Sequence, residues 1–350
     1  MNNGPTNNGW MGMPAATCVN GPGRKAFAHA ASALALALGI GFAQPAQASG
    51  PQPTLHLDAS AAALGAALVL PGVAPAWIAA PDALAAACAA EAGAGIRVAV
   101  LAGSVPRLRD ATCRRSAAAE TLVLTLGHEA LVFVVPSGLP VAPVDHVAFF
   151  RDFGAAAPRG AAPAGALLAP AVGSPSDALL ARMVLEPGCV AALPIGAVPH
   201  AAAARTSFCA ALREGGNVVR RRPGSAAESV AQIRAWGASA PAGAIAAVSL
   251  AEWIELTGVV TPVPLDGVLP TAANLAAGAY PASRPIRMAV VVPRAASQQA
   301  RDSALDTGFA LLAEGVIGPM GTLAGRGVTA LPPAARVHAR LRLIDFLEAP

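Results

Sequence analysis

Lysine is almost missing from this chain of 350 residues. Lys25 is the single lysine, and arginine supplies the rest of the 24 basic residues. This excludes a G-x-x-x-x-G-K-[ST] phosphate loop, a Schiff-base lysine and an S-x-x-K nucleophile pair from the body of the chain. The motifs H-E-x-x-H and G-x-S-x-G are also missing, and the histidines beyond residue 48 stand apart from one another in sequence. We therefore expect no enzyme, no metal and no cofactor.

Charged and aromatic residues are also scarce, at 13% and 4% of the chain. So low a charge excludes a disordered polyelectrolyte. The 55% hydrophobic content supports a sizeable core, although much of it is alanine, which buries little area per residue. The formal net charge of +4 is spread thinly, and Arg220 to Arg222 form the one basic run. Nucleic acids bind to clustered basic surfaces, so we expect no nucleic-acid partner.

An export signal is predicted at the N-terminus. The basic pair Arg24-Lys25 precedes an apolar stretch at residues 26–43, and a small-residue cleavage box of the form A-x-A ends at Ala48. The cleavage box and two glycines inside the apolar stretch argue against a transmembrane anchor. We therefore predict that residues 1–48 are a cleaved signal peptide and that the mature protein is periplasmic and does not span the membrane.

Four of the five cysteines follow the predicted signal peptide, and an even number suits an oxidising compartment. Four cysteines allow three pairings. We favour Cys88 with Cys113 and Cys189 with Cys209, because each pair closes a local loop. Four buried free thiols remain the alternative. A zinc site is not expected, since there is no C-x-x-C and no nearby pair of histidines.

Apolar runs of strand length alternate with segments of helical period, which is the pattern of an α/β protein. The clearest predicted strands are residues 54–57, 96–101, 121–126, 130–135 and 286–292.

Helices are predicted from their caps. Ser225 and Glu228 have the spacing of a capping box, and Asp145 and Thr271 are candidate N-caps. An apolar stripe of Leu305, Phe309 and Leu312 predicts a further helix before Gly315. Residues 155–171, rich in alanine, proline and glycine, are interpreted as a surface loop.

Several segments resemble, in the same order, the phosphate-binding periplasmic proteins of ABC transporters. Residues 265–285 match the pattern D-G-V-x-P-T-x-x-N-[IL]-x-x-G-x-Y-P-x-S-R-P nearly throughout. Residues 127–141 are similar to the strand and turn that lead into the second lobe of that family. Residues 241–245 resemble its P-G-A-I-G-Y segment, and residues 327–332 its G-[YF]-x-P-L-P close. The resemblance runs from about residue 96 to the C-terminus.

The resemblance implies an α/β chain with the type II periplasmic-binding-protein fold, in which two lobes are joined by crossing hinge strands. Residues 51–132 and 288–350 would form lobe 1, and residues 133–287 would form lobe 2. A small anion would be held in the cleft between them, and sites in α/β sheets do lie at the carboxyl ends of strands.

The function implied is that of a periplasmic solute-binding protein. It would capture phosphate or a related anion as a monomer, close around it, and present it to an ABC permease. The alternative is a non-transporting protein of the same fold, which acts through protein contacts in secretion, envelope assembly or signalling.

Family members hold the anion in lobe 2 with a segment of the form R-x-D-G-S-G-T-S-F at a helix N-terminus. Alignment on the residues Thr206-Ser207-Phe208 makes Thr206 and Ser207 the candidate donors. Arg205 then either supplies the cation or faces solvent, and both alternatives stay open. His200, at the position of the family's arginine, is interpreted as a surface or hinge residue rather than a ligand.

In lobe 1, the family signature G-x-S-D-x-P-L corresponds to residues 101–108. Ser104 keeps a donor, but Val105 replaces the carboxylate that would accept a proton from hydrogen phosphate. Arg107, just beyond, has the geometry for a bidentate contact with an anion. Ser60 follows the first strand and resembles the family's opening anion loop. The predicted ligand set is therefore Ser60, Ser104, Arg107, Arg205, Thr206 and Ser207.

Overall fold

The computed structural model describes residues 52–68, 77–80, 82–89, 95–103, 119–158, 165–213, 215 and 217–349. The predicted signal peptide, Cys113, Ser104 and Arg107 lie outside these ranges. For Ser60 the backbone is described but the side chain is not.

The elements before the long strand β4 are short. They are β1 (Thr54–Asp58), a 3-10 helix (Ala59–Ala67), β2 (Trp77–Ala80), α1 (Ala83–Ala89) and β3 (Arg97–Ala102), followed by β4 (Ala119–Pro136).

The middle of the chain alternates helices with short strands. In order, these are α2 (His146–Phe153), β5 (Leu167–Ala169), α3 (Pro175–Leu180), a π-helix (Ala181–Leu185), α4 (Glu186–Ala192), α5 (Ala202–Cys209), β6 (Val218–Arg220), α6 (Ala226–Gly237), β7 (Ile245–Ser249), α7 (Leu250–Glu255), β8 (Val260–Pro262) and α8 (Ala272–Ala276).

The chain then returns through a second long strand and ends in helices. These elements are β9 (Ser283–Pro293), α9 (Gln298–Leu311), α10 (Glu314–Ile317), a 3-10 helix (Ala324–Arg326), β10 (Val328–Ala330) and α11 (Pro333–Glu348).

The described strands form a ten-stranded mixed sheet in the order β2-β1-β3-β9-β4-β7-β5-β6, with β8 and β10 also paired to β4. Strands β4 and β9 are antiparallel partners along most of their length. The middle of β4, at residues 127–129, pairs with β10, and its last part pairs with β7 and β8. Because β4 and β9 lie at the middle of the sheet, they connect its two ends.

The predicted strands at residues 121–126 and 130–135 are one strand, the 18-residue β4. In the sequence, the residues Gly-His-Glu separate the two apolar runs. In the structure the register shifts between Thr125 and Gly127 while pairing continues. A Cβ at Gly127 would lie 2.6 Å from the carbonyl oxygen of Thr329 on β10. Glycine is therefore needed here for the close pairing of β10 with β4.

Hydrophobic packing divides the described chain into two bodies. One core uses residues between 130 and 282 and is covered by helices α2 to α8. Two further cores use residues between 55 and 126 and between 286 and 347. We call the body around the first core lobe 2 and the body around the other two lobe 1.

Most predicted helix caps are confirmed. Ser225 and Glu228 form a complete capping box at α6, and the side chains of Asp145 and Thr271 cap α2 and α8. The loop predicted at residues 155–171 is wrong in part, because Leu167–Ala169 forms the buried strand β5. Three apolar residues among alanine and proline give too short a signal to separate a strand from a loop.

The Cys189–Cys209 disulfide is confirmed, and it joins α4 to the last residue of α5. Cys88 is also disulfide-bonded, and its predicted partner Cys113 lies outside the described residues.

Among the described helices, none combines the length and the apolar character needed to cross a membrane.

Candidate functional site

A cavity of about 520 Å³ lies between the two lobes. Lobe 1 contributes Ala63 and Leu64 of the first 3-10 helix and the turn at residues 325–327. Lobe 2 contributes the loops that precede α3, α6 and α7, and β4 adds Glu129 and Ala130. We call this space the interlobe cavity.

The lobes touch beside the interlobe cavity. Gly327 has a left-handed backbone, with φ of 78°, and a Cβ built on it would lie 2.6 Å from the backbone nitrogen of Ala251. Ala251 belongs to the first turn of α7. The absence of a side chain at Gly327 therefore permits this close approach between lobe 1 and lobe 2.

Three helices start at the lobe 2 wall, and each follows a serine N-cap. The caps are Ser174 for α3, Ser225 for α6 and Ser249 for α7, and each serine oxygen accepts a hydrogen bond from the third helical N–H. Such caps satisfy backbone donors that a helix start leaves free.

Each of these helices also carries its own carboxylate in the first turn: Asp177, Glu228 and Glu252. A negative charge there complements the helix dipole. At Glu228, the hydrogen bond from the backbone N–H of Ser225 is the main cause of a lowered pKa, and the Ser225 hydroxyl adds to it. The positive ends of the helices at this wall are therefore partly neutralised by the protein itself.

The three consecutive arginines before α6 have different roles. Arg220 donates to Asp177 Oδ1 at 2.8 Å, and Asp177 Oδ2 accepts from the N–H of Gly173 at 3.0 Å. Arg221 is buried and pairs with Glu252, while its Nη2 donates to the carbonyl of Ala247 at 3.1 Å. Arg222 is exposed. Arg220 and Arg221 thus make structural contacts, while the side chain of Arg222 remains exposed at the cavity.

Arg222 of lobe 2 and Arg326 of lobe 1 both line the interlobe cavity, and both are exposed. Neither guanidinium is hydrogen-bonded or ion-paired to any residue within the described ranges. Among the described residues, Arg222 and Arg326 are therefore cations available to the cavity, one on each lobe. This is the arrangement expected if an anion bridges the lobes.

A buried ion pair also lies at the crossing strands. Glu129 of β4 and Arg284 of β9 pair through Oε1 and Nε, and Glu129 lines the interlobe cavity. Burial raises the pKa of Glu129, although Arg284 acts in the opposite direction through its charge and its hydrogen bond. Removing a carboxylate from water disfavours its charged form, and here that cost exceeds the stabilisation by the partner.

The structure does not bring the predicted ligand residues of lobe 2 to the interlobe cavity. Helix α5 begins at Ala202, so Arg205, Thr206 and Ser207 lie in its second turn and not at its start. Arg205 Nε donates to Glu186 Oε1 at 2.9 Å, and Thr206 Oγ1 donates to Glu186 Oε2 at 3.1 Å. This placement differs from the helix start that the family segment implies.

Arg205 instead lines a separate groove of about 800 Å³ on lobe 2, together with His200, Arg182 and Glu186. The rest of the groove is mostly apolar, and Ile195 is fully exposed there. We call it the α4–α5 groove. Ser207 is exposed on α5 and does not line it.

Of the predicted residues of lobe 1, Ser60 lies near described cavity residues along the chain. The backbone of Ser60 is in the 3-10 helix that supplies Ala63 and Leu64. Ser104 follows directly on Gly103, just beyond the end of β3.

Arg222, Arg326 and the three serine caps were not among the ligands predicted from the sequence. A signal for the caps was present, because Gly173-Ser174 and Gly224-Ser225 each place a Gly-Ser pair before a helix, as the family segment does. Both pairs line the interlobe cavity. For Arg326 the sequence carries no such signal, since it is one of many isolated arginines.

Within the described residues, no group of histidine, cysteine, aspartate and glutamate side chains has an arrangement that could hold a metal ion. No protein-family model and no curated protein sequence match the chain.

Solved structures do match. A possible phosphate binding protein from Planctomyces limnophilus superposes with a TM-score of 0.59 at 12% identity, over 85% of this chain and 99% of that one. PstS from Borrelia burgdorferi superposes with a TM-score of 0.52 at 10% identity, over 81% of this chain and 100% of that one. The chain has the fold of these phosphate-binding proteins. The α/β, two-lobed type II binding-protein fold expected from the sequence is thereby confirmed.

Proposed function

We propose that this chain is an exported, periplasmic solute-binding protein that captures a small anion in the interlobe cavity and delivers it to an ABC permease. Two described arginines carry the proposal, because Arg222 of lobe 2 and Arg326 of lobe 1 both line the cavity and are exposed. An anion bound to both would hold the lobes together. Two of the solved structures with this fold are described as a possible phosphate binding protein and as PstS, which supports an anion as the ligand.

We propose that Ser60, Ser104 and Arg107 complete the lobe 1 side of the interlobe cavity. In the proposed lobe 2 side, Arg222 takes the place of Arg205, Thr206 and Ser207.

Isothermal titration of the mature protein with phosphate, sulfate, phosphonates and small carboxylates tests this function. Replacing Arg222 and Arg326 together by alanine should abolish binding of whichever anion the wild type takes. Replacing Arg342, an exposed arginine on α11, serves as the matched control and should leave affinity unchanged. The proposal would be contradicted if none of the four classes of anion bound to the wild type, or if the double variant still bound the anion.

A non-transporting role through protein contacts is the second candidate, and the α4–α5 groove favours it. Its apolar wall includes the fully exposed Ile195 and the half-exposed Val190. Exposed apolar patches of this kind mark protein contacts. If this role is correct, Ile195→Arg should abolish the function of the protein in secretion, envelope assembly or signalling. The affinity for anions, measured by titration, should stay unchanged. Loss of uptake only in the Arg222 and Arg326 variants would instead favour transport.

A further inference from the structure

At the lobe 2 wall, several donors of the described residues are already bonded to the protein's own carboxylates. At each of the three serine-capped helices, the helix's own carboxylate already accepts a nearby backbone N–H. Gly173 donates to Asp177 at 3.0 Å, Ser225 to Glu228 at 2.6 Å and Ser249 to Glu252 at 2.7 Å.

Two hydroxyl groups at this wall are also bonded to carboxylates, and one helix start lacks a backbone donor. The hydroxyl of Ser225 donates to Glu228 at 2.9 Å, and that of Ser229 donates to Glu252. Pro175, the first residue of α3, has no N–H. The carboxylates would also repel a second negative charge placed against the helix starts.

Apolar residues make up much of the rest of the described lining. Lobe 1 contributes Ala63 and Leu64, while lobe 2 contributes Val172, Pro223 and Leu250. Val172 is 70% exposed, which is far more than a core valine would be. An apolar side chain that lines a cavity and keeps its surface in contact with water gains free energy when an apolar group covers it.

The volume of the cavity also favours a ligand that is larger than an inorganic ion. Its volume of about 520 Å³ falls within the range of roughly 300–1,000 Å³ that is usual for sites that bind drug-sized organic ligands. A small inorganic ion would leave most of this space, and most of the apolar wall, in contact with water.

We propose that the ligand of the interlobe cavity is an organic anion, whose charged head lies between Arg222 and Arg326 and whose apolar body covers Val172 and its apolar neighbours. This inference rests on the proposed function, and it names the chemical class of the ligand. Two kinds of head group share this chemistry, a phosphonate or phosphate monoester and a carboxylate.

Titration with two homologous series tests the class of ligand. The first series is inorganic phosphate, methylphosphonate, propylphosphonate and butylphosphonate, and the second is acetate, butanoate and pentanoate. Because a buried methylene contributes about 0.8 kcal/mol, affinity should rise by about fourfold for each methylene added. The series that binds more tightly identifies the head group.

The apolar wall is tested by Val172→Ser. Val172 is exposed, so this change should leave folding intact, flatten the dependence of affinity on chain length and leave methylphosphonate binding almost unchanged. Val337→Ser is the matched control, because Val337 is half-exposed on α11 and does not line the cavity. It should keep the full dependence on chain length.

Two results would overturn this inference alone. In the first, inorganic phosphate binds at least as tightly as butylphosphonate. In the second, Val172→Ser leaves the dependence of affinity on chain length unchanged. If no member of either series and no inorganic anion binds, the proposed function falls together with the inference.

Discussion

Arg221 and Glu252 form a buried ion pair in the wall of the interlobe cavity. Their side chains are 2% and 11% exposed, and Ser229 bonds to both. A buried pair gains little over an apolar replacement, but the loss of one partner leaves the other charge without compensation. The pair therefore joins α7 to the residue that follows β6, and it neutralises the charge of Arg221 within the protein.

Glu252→Gln should lower the free energy of unfolding by about 3 kcal/mol, measured by urea denaturation, because it leaves the Arg221 charge buried. Glu120→Gln is the control, since its pair with Arg294 is more than half exposed and such pairs contribute at most about 1 kcal/mol. If the two substitutions lower the free energy of unfolding equally, the buried pair does not have the structural role given to it here.

Glu129 gives a prediction about pH. Burial raises its pKa, so the folded protein holds the proton more tightly than the unfolded chain does. The stabilising contribution is therefore present below the ordinary glutamate pKa and is lost as pH rises through the raised value. Relative to the wild type, Glu129→Gln should become more stable as pH rises above about 4. Denaturation midpoints measured across pH check this, and a relative loss of stability with rising pH would refute it.

At the scale of elements, helix starts could be predicted because capping is a local interaction. Ser225, Asp145 and Thr271 lie next to the N–H groups that they satisfy, so a few consecutive residues contain the whole signal. The site is different, because a ligand residue depends on which helix start faces the opposite lobe. Thr206-Ser207 matches the sequence pattern of the family's anion-binding segment but lies inside α5 and not at its start.

Arg221 and Arg222 illustrate the same limit. They are adjacent in sequence, yet one is buried against Glu252 and the other is exposed at the cavity. Which of them faces a ligand is decided by packing between β6, β7 and α7. No pattern in the sequence records that packing.

The Cys189–Cys209 disulfide joins α4 to α5 with a sequence separation of 20 residues. A loop of this length is expected to contribute about 3 kcal/mol by restricting the unfolded chain. The double variant Cys189→Ala and Cys209→Ala should lose that much in urea denaturation. Cys189→Ala alone should lose about as much, because either change breaks the bond. An unchanged midpoint in the double variant would show that the bond contributes nothing.

At the scale of the whole molecule, the contact of Gly327 with Ala251 sets how closely the lobes approach. Gly327→Ala would place a Cβ 2.6 Å from the Ala251 nitrogen and should force the lobes apart. We expect weaker binding of butylphosphonate in titration and a larger radius of gyration in solution scattering.

Gly138→Ala provides the control for this prediction. Gly138 also has a positive φ, of 90°, but a Cβ there would meet no atom within 4 Å. Both alanines carry the cost of the left-handed backbone, about 1–2 kcal/mol, so both variants should be less stable. Only Gly327→Ala should lose affinity. Equal affinities of the two variants would mean that this contact does not control the cavity.

Anion binding between the lobes is best tested by a crystal structure of the mature protein with butylphosphonate. We expect density for the anionic head between the guanidinium groups of Arg222 and Arg326, with the alkyl chain against Val172. Density in the α4–α5 groove beside Arg205, or an empty interlobe cavity at saturating ligand, would contradict it.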